Sequence, residues 1–224
     1  MPESPAGLAI VALASGTMEP RITAVVFDLG GVLIDWNPRY LYRTLFDDEA
    51  AMEEFLATVT TQEWNGAQDA GRPWADAIEE LAERHPGQRD LIEAYWRRWP
   101  ETLGDAIEPN VALLDELRST GVRLYALSNW SGETFPLARP RYPFLEWFDG
   151  IVISGDERLA KPDPRIFGLL LERYGLSAAE TLFIDDHVPN VEAAAALGFT
   201  ALRFIGAADL RADLERLGLL TITG

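Results

Sequence analysis

The sequence predicts an α/β fold: a doubly wound parallel-sheet core with a helical block inserted after its first strand. Three observations carry this. Short runs rich in Val, Ile, Leu and Phe recur along the chain without the strict alternation expected of a sheet with one wet face. Helical patterns with clear start and stop signals separate them. Between Pro38 and Leu103 the strand signal disappears and only helical periodicity remains.

The apolar stretch Ala6–Ala14 follows Glu3 and two prolines, with no Lys or Arg ahead of it. It therefore lacks the basic segment of a secretory signal and is too short to span a bilayer. Residues 1–20 read as a flexible leader on a cytoplasmic protein, with Met18 a plausible alternative start. The core is expected over 21–37 and 104–224. Its first strand is Ala24–Phe27, a buried β run. The block 38–103 holds helical patterns at Arg39–Phe46, Asp48–Val59, Trp74–Arg84 and Gln88–Trp99, and it carries Trp64, Trp74, Trp96 and Trp99. Those aromatics read as core filler. Val111–Ser119 sets Leu113, Leu114 and Leu117 on one stripe and stops before Gly121. The second and third strands follow at Val122–Leu127 and Gly150–Ile153. A helix over Pro164–Tyr174 has Pro in its first turn after Asp163 and ends at Gly175, the usual punctuation. The strand Leu182–Ile184, a helix Val191–Leu197 closed by Gly198, and the strand Ala201–Phe204 complete the alternation.

Composition narrows the function classes. The 224 residues are 48% apolar and 25% charged, as in an ordinary globular chain long enough for a full core. Cysteine is absent, which removes disulfide frameworks, thiolate metal sites and cysteine nucleophiles. Two histidines, His85 and His187, argue against a multi-histidine zinc site. A formal charge of −17 argues against nucleic acid as partner, since phosphate backbones are bound by Lys and Arg. No run is long and apolar enough to suggest a membrane span. A small phosphorylated ligand stays compatible with this acidity, because a bound cation inverts the local field. Oligomeric state has no signature in the chain.

Ligands of open α/β sheets bind beyond the carboxyl ends of the strands, and there the sequence is polar. The first strand runs into Asp28-Leu29-Gly30-Gly31, the second into Ser128-Asn129-Trp130, and the fourth into Asp185-Asp186. Lys161, the single lysine of the chain, follows the third strand in Lys161-Pro162-Asp163-Pro164. A carboxylate such as Asp28 can attack phosphorus and form an aspartyl phosphate. Together with Asp185 and Asp186 it can offer oxygen ligands to Mg²⁺. Ser128 and Lys161 are donors for phosphoryl oxygens, while Gly30 and Gly31 allow a sharp turn near an anion. Plainer roles exist for each: Asp28 and Asp185–Asp186 as helix caps, His187 as a bystander. Trp36 and Trp130 are equally suited to lining a pocket and to packing.

The ordered motifs FDLGGVL, LSN, KPDP and FIDD with Asn190 resemble the haloacid dehalogenase-like hydrolase superfamily, from Ile22 to about Phe204. The resemblance implies a Rossmann-like core, with the 38–103 block as an α-helical cap of the C1 type. It implies Asp28 as nucleophile and metal ligand, the Gly30 carbonyl and Asp186 as further Mg²⁺ ligands, and Asp185 nearby, directly or through water. It implies Ser128 and Lys161 as phosphoryl binders, Asn190 as a supporting hydrogen bonder and Asn129 as a substrate contact. The expected activity is Mg²⁺-dependent hydrolysis of a small phosphorylated metabolite through an aspartyl phosphate. A carbon–halogen hydrolase and a catalytically impaired phosphate- or partner-binding regulator are the alternatives. The chain departs from the family's phosphatases at one position: they carry an acid two residues after the nucleophile, where this chain has Gly30. The proton for the leaving group must then come from Asp35, from water, or from nowhere.

Overall fold

The computed structural model describes residues 21–222; the leader expected over 1–20 lies outside the described residues. Seven strands are present among them: β1 (Ala24–Phe27), β2 (Ile34–Trp36), β3 (Leu103–Ala106), β4 (Arg123–Ser128), β5 (Gly150–Ile153), β6 (Thr181–Asp185) and β7 (Thr200–Arg203). Five of them form a parallel sheet in the order β5-β4-β1-β6-β7. The absence of alternation has a direct cause. Val25 and Phe27 of β1 point into one apolar cluster and Ala24 and Val26 into another, so both faces of the strand are dry. From β1 the chain builds outward to β4 and β5 on one side, then returns to β6 and β7 on the other. The switch point falls at β1, and a crevice opens there beyond the strand ends.

Helices cover both faces, and their ends follow local chemistry. Asp163 caps the helix Pro164–Tyr174 by accepting from the Arg165 N–H at 2.9 Å, and Gly175 ends it at φ +60°. Glu108–Ser119 buries Val111, Leu113, Leu114 and Leu117 on one stripe.

The inserted block consists of helices Arg39–Tyr42, Glu49–Thr58, Gln62–Asp69, Trp74–Arg84 and Arg89–Arg97. Its core is aromatic: the rings of Trp64, Trp74 and Tyr95 lie within 5.4–5.6 Å of one another. The tryptophans Trp64 and Trp74 are core filler here, as expected. Two features escape a periodicity reading. Gln62–Asp69 has little apolar pattern and is started instead by Thr61, whose hydroxyl accepts from the Trp64 N–H at 3.1 Å. The two chain crossings into and out of the block are a ribbon, β2 pairing antiparallel with β3, Ile34 opposite Ala106 and Trp36 opposite Leu103. Strands this short become strands only once their partner, from the far side of the insert, is in place.

Candidate active site

Four loops converge at the switch point. Parallel register sets Phe27 beside Ala126 and Ile184, so Asp28 follows β1 level with Asp185 of β6, and Ser128 ends β4 one residue beyond that level. The Asp28 N–H continues the ladder to the Ile184 carbonyl at 2.9 Å. Its carboxylate Oδ1 accepts the Leu29 N–H at 2.7 Å and faces the Lys161 ammonium at 3.1 Å. Ser128, almost wholly buried, also donates to it.

Lys161 is enclosed, and its Nζ donates to Asp185 Oδ2 at 2.7 Å. Its backbone is clamped by Asn129: the Asn129 amide donates to the Lys161 carbonyl at 2.9 Å and the Asn129 Oδ1 accepts the Lys161 N–H at 2.8 Å. Asn129 thus ties the loop after β4 to the lysine. Asp185 is fully buried and satisfied by protein. Besides Lys161 it accepts the His187 N–H at 2.8 Å and the Asn190 amide at 3.0 and 3.1 Å. Asn190 therefore holds Asp185, and Asp185 holds Lys161.

Asp28, Asp185 and Asp186 each bring a carboxylate oxygen within 4.8 Å of the others. Burial pushes the Asp28 carboxyl up to about 7, against the pull of the Lys161 ammonium and with a further push from Asp185. Burial also raises Asp186, again with help from Asp185. For Lys161 burial works downward, and the Asp28 and Asp185 carboxylates more than offset it, leaving the ammonium firmly protonated. Three carboxylates around one ammonium leave surplus negative charge, which a cation would relieve. The donor set fits a hard one. Asp186 faces Gly31, whose φ of +74° and missing Cβ make room: a Cβ there would lie 2.7 Å from Asp186 Oδ2. The Gly30 carbonyl has no partner among the backbone hydrogen bonds of the described residues outside helices and strands.

The side chains of the other residues singled out in the sequence are used differently. Trp130 is buried, its ring 5.6 Å from Trp99 and 5.5 Å from Phe135, and its indole N–H donates to Thr134 Oγ1 at 3.1 Å. Trp36 is half-buried on β2 and packs on the larger core cluster. His187 is exposed. Asp35 lies on the ribbon, accepting from the Tyr40 hydroxyl at 2.5 Å and abutting Gly104.

A residue that sequence reading passed over sits closer. Asp69 ends the helix Gln62–Asp69. The backbone N–H of Ser131 donates to its carboxylate, and the Asn65 amide donates to its Oδ2 at 2.9 Å. Its carbonyl accepts from the Ser154 hydroxyl at 2.5 Å. Only the capping Thr61 marked this helix, and nothing local marked its last residue as part of a site.

A parallel α/β sheet with an acidic cluster and a buried lysine at its switch point, roofed by a helical insert, is the architecture of a hydrolase class. The chain belongs to the haloacid dehalogenase-like hydrolases, whose family model matches residues 22–198. The sesquiterpene phosphatase astK of Aspergillus oryzae is 30% identical over 182 residues, covering 80% of this chain and 88% of that one. A D-ribitol-5-phosphate phosphatase of Bacteroides thetaiotaomicron is 26% identical over 208 residues, covering 86% and 97%. Among solved structures, a family enzyme from Bacteroides thetaiotaomicron in complex with magnesium and inorganic phosphate superimposes with a TM-score of 0.59 at 25% identity, covering 81% and 93%. The L-2-haloacid dehalogenase of Xanthobacter autotrophicus shares the fold, with a TM-score of 0.59 at 22% identity, covering 87% and 83%. None of the described helices is long and apolar enough to cross a membrane.

Proposed function

We propose that this hydrolase is a Mg²⁺-dependent phosphatase of small phosphorylated metabolites that works through an aspartyl phosphate on Asp28. The observation that carries the reading is the surplus of carboxylate around one buried ammonium: Asp28, Asp185 and Asp186 within 4.8 Å, with Lys161 bonded to two of them. Carbon–halogen displacement needs a nucleophilic carboxylate but gives no reason to gather two more. Asp28, Asp186 and the Gly30 carbonyl would hold the metal, with Asp185 behind them orienting Lys161. There Mg²⁺ would supply positive charge against the phosphoryl oxygens.

The chain's own groups do the rest. The Lys161 ammonium favours the charged form of Asp28 against burial and gives the phosphoryl group a donor, and the Ser128 hydroxyl gives another. Asn129 and Asp185 hold Lys161 at both its backbone and its tip, so little reorganisation is left for the reaction itself. The matching relatives that act on phosphate esters support the same substrate class. The test is a panel of phosphate esters assayed with Mg²⁺ and with EDTA. Hydrolysis is expected only with the metal, and Asp28→Asn, which keeps the shape and loses the attacking charge, should abolish it. Full activity in excess EDTA, or a wild-type rate in Asp28→Asn, would overturn the proposal.

A further inference from the structure

A phosphate monoester leaves as an alkoxide, a strong base that needs a proton as its bond to phosphorus breaks. The phosphoryl group is held on the core side, among Asp28, Ser128 and Lys161, so the leaving oxygen points out toward the insert. At the positions where the sequence places an acid, the core offers none. Position 30 is a glycine, Lys161 is committed to two carboxylates, and the Asp35 carboxylate on the ribbon is taken by the Tyr40 hydroxyl.

The insert does reach the site at one place. Helix Gln62–Asp69 and the turn after it sit on the loops that follow β4 and β5. The Trp74 indole donates to Ser131 Oγ at 3.1 Å and the Trp74 N–H to Glu133 at 3.0 Å. Gly71 packs so tightly that a Cβ there would lie 2.9 Å from the Gly155 carbonyl. Ser154 links both sides, accepting the Trp130 N–H at 2.9 Å while donating to the Asp69 carbonyl. This seating brings the Asp69 carboxyl over the end of β4, the strand next to β1. Asn65, one turn earlier on the same face, is buried, and its Oδ1 has no partner.

We infer that Asp69, lowered over the site by the helical insert, is the acid–base catalyst of the phosphatase reaction, standing where the core has Gly30. The inference rests on the phosphatase reading above. In the first half-reaction an Asp28 oxygen bonds to phosphorus, the phosphorus–oxygen bond of the ester breaks, and the departing oxygen takes the proton of the Asp69 carboxyl. In the second, water attacks the phosphorus of the aspartyl phosphate and gives its proton to the Asp69 carboxylate. Asp28 and inorganic phosphate are released, and Asp69 is again protonated.

The surroundings suit a group that must hold a proton near neutrality. Burial raises the Asp69 carboxyl to about 7, the Ser131 N–H pulls it down, and the Asp28 charge pushes it up further. The titratable and charged groups on the elements packed against it are Tyr95 within the insert, Glu133 after β4, and Asp156 and Arg158 after β5.

The test compares wild type with Asp69→Asn and Asp69→Glu in Mg²⁺, on an alkyl phosphate and on p-nitrophenyl phosphate, whose leaving group is a weak base. Asp69→Asn should lose about 10²–10⁴-fold in kcat/KM on the alkyl ester, since that ratio reports the steps up to release of the alcohol. On the aryl ester kcat/KM should fall by about tenfold or less, because a weakly basic leaving group gains little from protonation, while kcat falls on both esters as water attack on the shared phosphoenzyme loses its base. The alkaline fall in the wild-type pH profile on the alkyl ester should vanish in Asp69→Asn and return in Asp69→Glu. Equal losses of kcat/KM on both esters, no loss on either, or an alkaline limb that survives Asp69→Asn and disappears in His187→Gln would overturn the assignment. Those outcomes leave the phosphatase reading standing. A wild-type enzyme that hydrolyses neither ester ends both.

Discussion

Lys161→Met is the perturbation that most directly measures how the site is held together. The methionine keeps the volume of the lysine stem and deletes the ammonium, leaving Asp28 and Asp185 buried without their shared counter-charge. Breaking a buried ion pair from one side costs about 3–5 kcal/mol, mostly the price of the charge left behind. At about 2–4 °C per kcal/mol for a chain of this size, the melting midpoint should fall by about 6–20 °C at pH 8. The sign of the pH dependence follows from the same charges. Asp28 already titrates at about 7 with Lys161 present, because burial raises it, and without the ammonium it rises further. Above that value the variant must keep the carboxylates charged in the fold. Below it a proton replaces the ammonium, so the deficit against wild type narrows on acidification toward pH 5. The assay is a thermal melt of both proteins in EDTA across this range. A midpoint within about 2 °C of wild type at pH 8, or a deficit that does not shrink in acid, would refute the reasoning.

Other consequences are as concrete. Mg²⁺ at about a hundredfold over its dissociation constant should stabilise the wild type by about 2.7 kcal/mol, read as a melting shift, and Asp186→Asn should lose most of that shift. Gly31→Ala must adopt φ +74° and bring a Cβ to 2.7 Å from Asp186 Oδ2; it should cost about 1 kcal/mol or more in stability and raise the Mg²⁺ concentration needed for half-maximal activity. Gly71→Ala, at φ +93° against the Gly155 carbonyl, should unseat the insert. The expected result is a fall on an alkyl phosphate larger than the fall on an aryl ester, measured as kcat/KM on each.

The chemistry of the core edge was legible because it is local. Each parallel strand is a short run buried on both faces, and its first polar residue must stand at the carboxyl end: Asp28, Ser128 and Asp185 follow directly from where the apolar runs stop. Lys161 stood out as the one lysine in an acidic chain. What those residues do to each other was not legible. In sequence Asp185 and Asp186 are twins. In the fold Asp185 is fully buried and saturated by Lys161, Asn190 and the His187 N–H, while Asp186 faces Gly31. Trp130 carried two equal readings, and its packing against Trp99 and Phe135 shows a side chain spent on the core.

The sequence by itself determined the sheet, the helical nature of the insert and the residues at the strand ends, because hydrophobic periodicity, caps and breakers act over a few neighbours along the chain. Tertiary structure alone decided the rest. The ribbon of β2 and β3 pairs segments that the whole insert separates, and helix Gln62–Asp69 is held by a cap and by burial rather than by pattern. Asp69 gains meaning only when Ser154 and Ser131, from two different loops of the core, hold it over the site. An isolated aspartate on a short polar helix would be an ordinary solvated acid. Its burial and its nearness to Asp28 are properties of the docked insert, and such contacts between distant segments leave no trace in local pattern.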